Sequence, residues 1–254
     1  MQEPAVARGP VGGSGPYTGG VAELSVVTLN LRGVHDRWWK REPLVVRELA
    51  ALRPDVVCLQ EAATWCLQAR WLAWRLSRAT GDRYRVRQAR KRGWKGIFEG
   101  VAIVSRFPLD RPAVLGIGGS GRVAQRAVIR AGGGLLVANT HLEHRSHNSE
   151  LRRRQVRRIV AWLGTSELPR VLCGDLNDVP DSPALSELAA DWRTAHPAGE
   201  APVYTSPAHE PKRLIDYIMV VEGVEVLEAG VCFDQPSGGV WPSDHAGLWA
   251  RLRF

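Results

Sequence analysis

The side chains best suited to chemistry in this chain stand where short apolar runs end. Val171-Leu172-Cys173-Gly174 has the profile of a buried strand and stops on Asp175, Leu176, Asn177 and Asp178. Asp and Asn tolerate turn geometry, so an ordinary turn is one reading of that segment. The event recurs, however, and each recurrence delivers a different group. Ser25 to Leu29 ends at Asn30, Val56 to Leu59 at Gln60 and Glu61, and Leu135 to Ala138 at Asn139, Thr140 and His141. Asp216 interrupts the apolar run 214–220, and Ser243-Asp244-His245 precedes a last apolar strand. Polar groups at the ends of separate strands let a rigid sheet gather a catalytic cluster from distant positions. Carboxylates, amides and imidazoles together suit a hard, oxygen-preferring cation and proton transfer, not thiol chemistry or a soft metal. A carboxylate buried without a partner is costly, so Asp216 within its strand predicts one.

Such a cluster needs elements to hold it. Leu44, Val45, Leu49 and Leu52 recur at helical spacing over Pro43 to Leu52, with Pro43 suited to a first turn. Amphipathic helices are also predicted over Ala62 to Ala79, closed by Gly81, and Ser149 to Leu163, with a short fourth over Pro183 to Ala190. Strands are predicted near 24–29, 55–60, 83–88, 100–105, 122–130, 134–139, 170–174, 214–221, 225–231 and 246–253. This order alone also permits a doubly wound α/β sheet.

The ordered set Thr28-x-Asn30, Leu59-Gln60-Glu61, Thr140-His141-Leu142, Gly174-Asp175-Leu176-Asn177, Asp216-Tyr217-Ile218 and Ser243-Asp244-His245 resembles the endonuclease/exonuclease/phosphatase superfamily. The segment Gly100 to Pro108 is similar to that family's strand ahead of its central histidine. The resemblance runs from about residue 24 to the C-terminus and implies an α/β fold, a four-layer sandwich of two packed mixed sheets flanked by helices, over residues 21–254. It implies a Mg²⁺-dependent phosphoester hydrolase, with Mn²⁺ as a substitute, whose metal is held by Glu61, Asn30 and Asp244. It assigns His141 and Asn177 to the phosphate, Asp175 to the attacking water, and His245 to acid/base work or charge stabilisation with Asp216 on its other ring nitrogen. Arg154 and Gln155 match positions that pack near the site. Asp178, His35, His144, His147 and His209 read as surface residues.

Composition bounds the rest. A chain of 254 residues, 44% hydrophobic, can bury a full core as one domain. Residues 1–20 are rich in Gly and Pro with no apolar run, and read as a disordered tail instead of a signal peptide. No segment approaches the length of a membrane span. Cys58 and Cys173 sit in strand runs and read as reduced, buried thiols, which fits a cytoplasmic protein; pairing of Cys66 with Cys232 stays open. A monomer is expected.

The net charge of +8 is clustered. Arg83, Arg85, Arg87, Arg90, Lys91, Arg92 and Lys95 surround Trp94, and Trp38-Trp39-Lys40-Arg41 forms a second aromatic-basic group. Charge runs are usually solvated faces. Cations mixed with tryptophans also suit phosphate tracking with base stacking, or an anionic membrane surface. Arg90, Lys91, Arg92 and Trp94, with Arg126 ahead of His141, are therefore the candidate substrate contacts. Three readings stand: a nuclease with nucleic acid as substrate, a phosphodiesterase or phosphatase on phospholipids or small phosphoesters, and an inactive nucleic-acid- or membrane-binding protein. Glu61, Asp175 and His245 are all retained, which ranks the third last.

Overall fold

The computed structural model describes residues 21–145, 147–164, 166–188, 190–196 and 203–254; the tail predicted over 1–20 lies outside them. Its strands form two sheets of six. The first contains β1 (Glu23–Asn30), β2 (Val56–Ala63), β3 (Arg85–Arg90), β4 (Glu99–Ser105), β11 (Glu225–Cys232) and β12 (Gly247–Arg253), in the order β11-β12-β1-β2-β4-β3. The second contains β5 (Leu109–Gly118), β6 (Arg122–Ile129), β7 (Leu135–His141), β8 (Arg170–Asp175), β9 (Trp192–Thr194) and β10 (Asp216–Val221), in the order β5-β6-β7-β8-β10-β9. Both sheets are mixed: β1 and β2 run parallel at the centre of one, β7 and β8 at the centre of the other, and the remaining pairs are antiparallel.

Alternation along the strands divides the apolar side chains between two interiors. Val26, Val56, Cys58 and Ile103 from the first sheet meet Ala127, Val137, Val171 and Cys173 from the second. The opposite face of the first sheet, through Val27, Leu29, Val57 and Leu59, packs on α1 (Trp38–Leu52) and α2 (Gln68–Thr80). α3 (Ser149–Leu163) and α4 (Pro183–Ser186) cover the second sheet through Val156, Ile159, Leu163 and Leu185. The result is helix, sheet, sheet, helix, a four-layer α/β sandwich. Cys58 and Cys173 contribute buried thiols to its centre, Cys66 is exposed and Cys232 buried, and all four cysteines are free. The open question of a Cys66–Cys232 bridge is thereby closed.

The central parallel strands end together. Asn30, His141 and Asp175 are the last residues of β1, β7 and β8, Gln60 on β2 is the register partner of Asn30, and Asp216 opens antiparallel β10 at the same rim. One glycine is required there. Gly174 has φ +147°, and a Cβ on it would stand 2.1 Å from the carbonyl oxygen of Thr140 on β7, so no other residue lets the two strands meet just before Asp175.

Two strands lacked a sequence signature. β5 carries Pro112 and two glycines, features that argue against a strand, and it survives as an edge with its register shifted between Asp110 and Ala113. β9 is a three-residue edge. α1 starts earlier than predicted, at Trp38, which leaves the exposed Pro43 inside the helix. α2 starts later, because Ala62 and Ala63 continue β2 and the Gln68 side chain accepts the Ala63 amide at 2.8 Å.

Candidate active site

Gln60 and Asn139 clamp the two sheets directly beneath the rim. Gln60 Nε2 donates to Asn139 Oδ1 at 2.8 Å and to Thr28 Oγ1 at 3.0 Å. Asn139 Nδ2 in turn donates to the carbonyls of Leu59 and Ala102, each at 2.9 Å. Both amides are fully buried. Between Leu59 and Ala62 the β2–β4 register shifts, and Glu61 there adopts a left-handed φ of 51°. A bulge of this kind bends a strand and re-aims one side chain, and it turns the Glu61 carboxylate to the rim.

Two groups of ionisable side chains converge at that rim. In the first, Glu61, Glu99 and His141 each offer a ligand atom, all within 4.8 Å of one another. Burial raises the Glu61 carboxyl above its ordinary range, and the nearby charges of Glu99 and Asp244 raise it further. His141 is held well below the ordinary imidazole range, first by burial and then by Arg122 and Lys91, so its ring is neutral. Its Nδ1 is buried without a hydrogen-bond partner, 3.8 Å from Glu99 Oε1. Crowded carboxylates beside a neutral imidazole with a buried lone nitrogen fit a divalent cation. Lys91 and Arg122 supply positive charge on the far side, both paired to Glu99.

In the second group, His245 Nδ1 donates to Asp216 Oδ2 at 2.8 Å. Burial disfavours the imidazolium, but the charge and hydrogen bond of Asp216, with Asp175 and Asp244 behind it, outweigh burial and raise His245 to about 10. Asp175 joins the two groups. Its Oδ2 accepts from Asn30 Nδ2 at 3.0 Å and lies 3.5 Å from His141 Nε2, while its Oδ1 accepts the Asn177 amide at 2.9 Å. Burial, followed by the charge of Asp216, raises the Asp175 carboxyl.

The structure thus brings His141, Asp175, Asn177, Asp216 and His245 into one cluster, with Glu61 adjoining through His141. Asn30 belongs to it as a donor to Asp175, and its Oδ1 accepts the Arg32 amide at 2.9 Å. Asn177, at φ 52°, donates its side-chain amide to the Leu142 carbonyl at 3.2 Å. Asp244 reaches the edge of the cluster and is ion-paired to Arg32. Beyond Asp244 opens a pocket of about 470 Å³, walled by the loop between β1 and α1 and the segment ahead of β12.

Other predicted residues go elsewhere. Arg126 points away from the rim: its guanidinium donates to the Trp162 carbonyl at 2.6 Å and lies over the Trp162 ring. Lys91 faces inward to Glu99, whereas Arg90 and Arg92 are exposed and Trp94 stands 71% exposed beside Phe98. Asp178 is not a surface residue, since its carboxylate accepts from Arg152 Nε at 2.8 Å. On α3, Arg152 and Gln155 face inward while Arg154 is exposed; Gln155 Oε1 accepts the Glu143 amide at 3.0 Å and so braces the segment after His141. Sequence reasoning missed Glu99, Arg122 and Arg32. Glu99 directly precedes the Gly100 to Pro108 signature, which was the available signal. The two arginines carried none, because nothing in their local sequence sets them apart from other surface cations.

The fold and site form a four-layer sandwich with paired carboxylates and imidazoles on one rim, the layout that the sequence resemblance implies. Comparison with known proteins agrees. The model of the endonuclease/exonuclease/phosphatase family matches residues 27–245. Protein angel of Drosophila melanogaster is 33% identical over 163 residues, 57% of this chain and 45% of that protein. The chain therefore spans under half the length of that curated relative. Among solved structures, a D. rerio TDP2 humanized by 14 mutations superposes with a TM-score of 0.76 at 20% identity, covering 91% of this chain and 98% of that one. The human nocturnin catalytic domain, with a bound sulfate anion, gives 0.74 at 22% identity, covering 91% and 93%. The chain belongs to the endonuclease/exonuclease/phosphatase family.

Proposed function

We propose that the protein is a Mg²⁺-dependent nuclease that hydrolyses phosphodiester bonds of DNA or RNA. The observation that carries the chemistry is the position of Asp175, joined to Asn30 and Asn177 by hydrogen bonds, 3.5 Å from His141 and opposite the Asp216–His245 pair. Glu61 would hold the cation, with Asp244 beside it and Glu99 as a further donor. When bound, the ion supplies Lewis-acid stabilisation of the charge that develops on phosphate oxygens. The chain's own residues do the rest. Asp175, with its raised carboxyl, orients the attacking water and takes its proton. His245 stays protonated across neutral pH and stabilises the phosphorane-like state, or gives its proton to the leaving oxygen, while Asp216 fixes the orientation of its ring. His141 and the Asn177 amide bind phosphate oxygens.

The nucleic-acid assignment draws support from exposed Arg90 and Arg92 beside exposed Trp94, a pairing suited to backbone phosphates and a stacked base. A second reading, a phosphodiesterase acting on phospholipids, draws support from the exposed Trp65, Leu67, Ile97 and Phe98, whose two loops are joined by the Thr64 amide and hydroxyl. Four free thiols fit a reducing compartment, so we assign the protein to the cytoplasm. Among the described residues no helix is long and apolar enough to cross a membrane. An activity panel with Mg²⁺ or Mn²⁺ tests the assignment: plasmid DNA, single-stranded DNA, RNA, sphingomyelin and inositol phosphates. Turnover of nucleic acid is expected. Exclusive turnover of sphingomyelin selects the second reading.

A further inference from the structure

The pocket beyond Asp244 has a charge balance that the hydrolytic cluster does not use. It is lined by Arg32, Arg37, Lys40 and Arg41 against only two acids, Asp36 and Asp244, with Trp241 and His209 on the opposite wall. Both acids are already ion-paired to Arg32. Arg41 is buried and structural, since its guanidinium donates to the carbonyls of Leu31, Gly33, His35 and Pro242. Arg37 and Lys40 are different. Each is exposed, and neither has a salt bridge among the described residues.

Two further features mark this wall. The loop contains three non-glycine residues in the left-handed region, Arg32, Asp36 and Arg37, at φ of 52°, 50° and 58°. Such backbone strain persists where surrounding structure over-determines it, and it clusters at ligand clamps. Moreover α1 begins at Trp38 with Lys40 and Arg41 in its first turn and no acid there. Cations at that end oppose the helix macrodipole. A bound anion relieves the repulsion among these groups. Arg41 also ties the loop to Pro242, so the pocket is braced on both sides.

We infer that this pocket takes a second phosphate of the substrate, one or more bonds removed from the phosphoester hydrolysed at the Asp175–His245 cluster. The inference rests on the phosphoester reading above and deepens it. Asp244 and Ser243 line the pocket, and Ser243 Oγ donates to the Asn30 carbonyl at 2.6 Å, so pocket and cluster share a wall. The volume of about 470 Å³ accommodates a phosphate with an attached sugar or base. The enzyme therefore prefers substrates with two anionic groups over simple diesters.

Two chromogenic substrates with the same leaving group test this: the p-nitrophenyl ester of thymidine 5′-phosphate, and the same ester carrying a 3′-phosphate. The wild-type KM is expected to be about tenfold lower for the second, the equivalent of one charge-assisted hydrogen bond. In the Arg37→Ala/Lys40→Ala variant that ratio collapses toward one. A wild-type ratio near one, or an undiminished ratio in the variant, overturns the inference. Should neither ester nor bis-p-nitrophenyl phosphate be hydrolysed, the phosphoester reading fails separately. Calorimetric binding of thymidine 3′,5′-bisphosphate then decides the pocket: weaker binding to the variant supports it, and equal or absent binding to both proteins refutes it.

Discussion

Asp175 and Asp216 are register partners across the antiparallel β8–β10 ladder, and both are buried. Like charges directly opposite one another destabilise a sheet. The pair persists because each carboxylate is served from a different side: Asp216 by His245, and Asp175 by the amides of Asn30 and Asn177. One Asp216 oxygen, Oδ1, still lacks a partner. Local stability has been given up at the point where two carboxylates are needed side by side.

The first consequence concerns pH. His245 titrates near 10 in the folded protein, above the ordinary value of about 6.5 expected when unfolded. The folded state therefore binds the extra proton, and the stability it contributes is complete below about pH 6.5 and is lost as pH rises through about 10. Urea unfolding of the wild type and His245→Asn at pH 6, 8 and 10 should give a stability difference that shrinks as pH rises, by up to a few kcal/mol. A difference that stays constant over that range contradicts an imidazolium paired with Asp216.

The inter-sheet clamp makes a prediction about stability. Asn139→Ala removes the donor to the Leu59 and Ala102 carbonyls and the acceptor for Gln60 Nε2. Buried polar groups left unsatisfied cost about 1–3 kcal/mol each, so a loss of roughly 2–4 kcal/mol is expected after relaxation. Chemical denaturation measures it directly. A change below 1 kcal/mol would mean that the two layers are not held by this amide pair.

Metal binding and chemistry separate at two residues. Glu61→Ala should remove both turnover of bis-p-nitrophenyl phosphate and the thermal stabilisation caused by added Mg²⁺. His245→Ala should keep the Mg²⁺-induced stabilisation and lower kcat by about 10²–10⁴, the range for a lost acid/base group. Turnover retained by either variant would reassign that residue.

The fold was readable because its determinants are local. Alternating apolar runs mark most strands, and their polar terminal residues mark the rim. What stayed hidden was decided by tertiary geometry. Glu99 counts as part of the rim only because β4 pairs beside the bulge that carries Glu61. Arg126 and Arg152 have the same composition signal as any exposed arginine, yet one packs on Trp162 and the other is buried against Asp178. β5 was concealed by Pro112, tolerable only at a sheet edge. The pairing of Asp216 could be anticipated from its place in an apolar strand, since burial forces a charged group to find a partner.

The basic segment between β3 and β4 decides between substrates. Arg90 and Arg92 are exposed, whereas Lys91 is paired with Glu99, so the three cations are not equivalent. Neutralising Arg90 and Arg92 together removes up to two phosphate contacts. For single-stranded DNA the logarithmic dependence of affinity on salt should then flatten by about 1.4, at roughly 0.7 per contact. Lys91→Ala acts differently, because it takes a cation from Glu99 and so alters the negative charge around Glu61. It should change the Mg²⁺ concentration needed for activity more than it changes the salt slope. Fluorescence anisotropy with a labelled oligonucleotide across a salt series, together with a Mg²⁺ titration of activity, separates the two effects. An unchanged slope in the Arg90→Ala/Arg92→Ala variant would remove nucleic acid from this face and shift the assignment toward phospholipid or small phosphoester substrates.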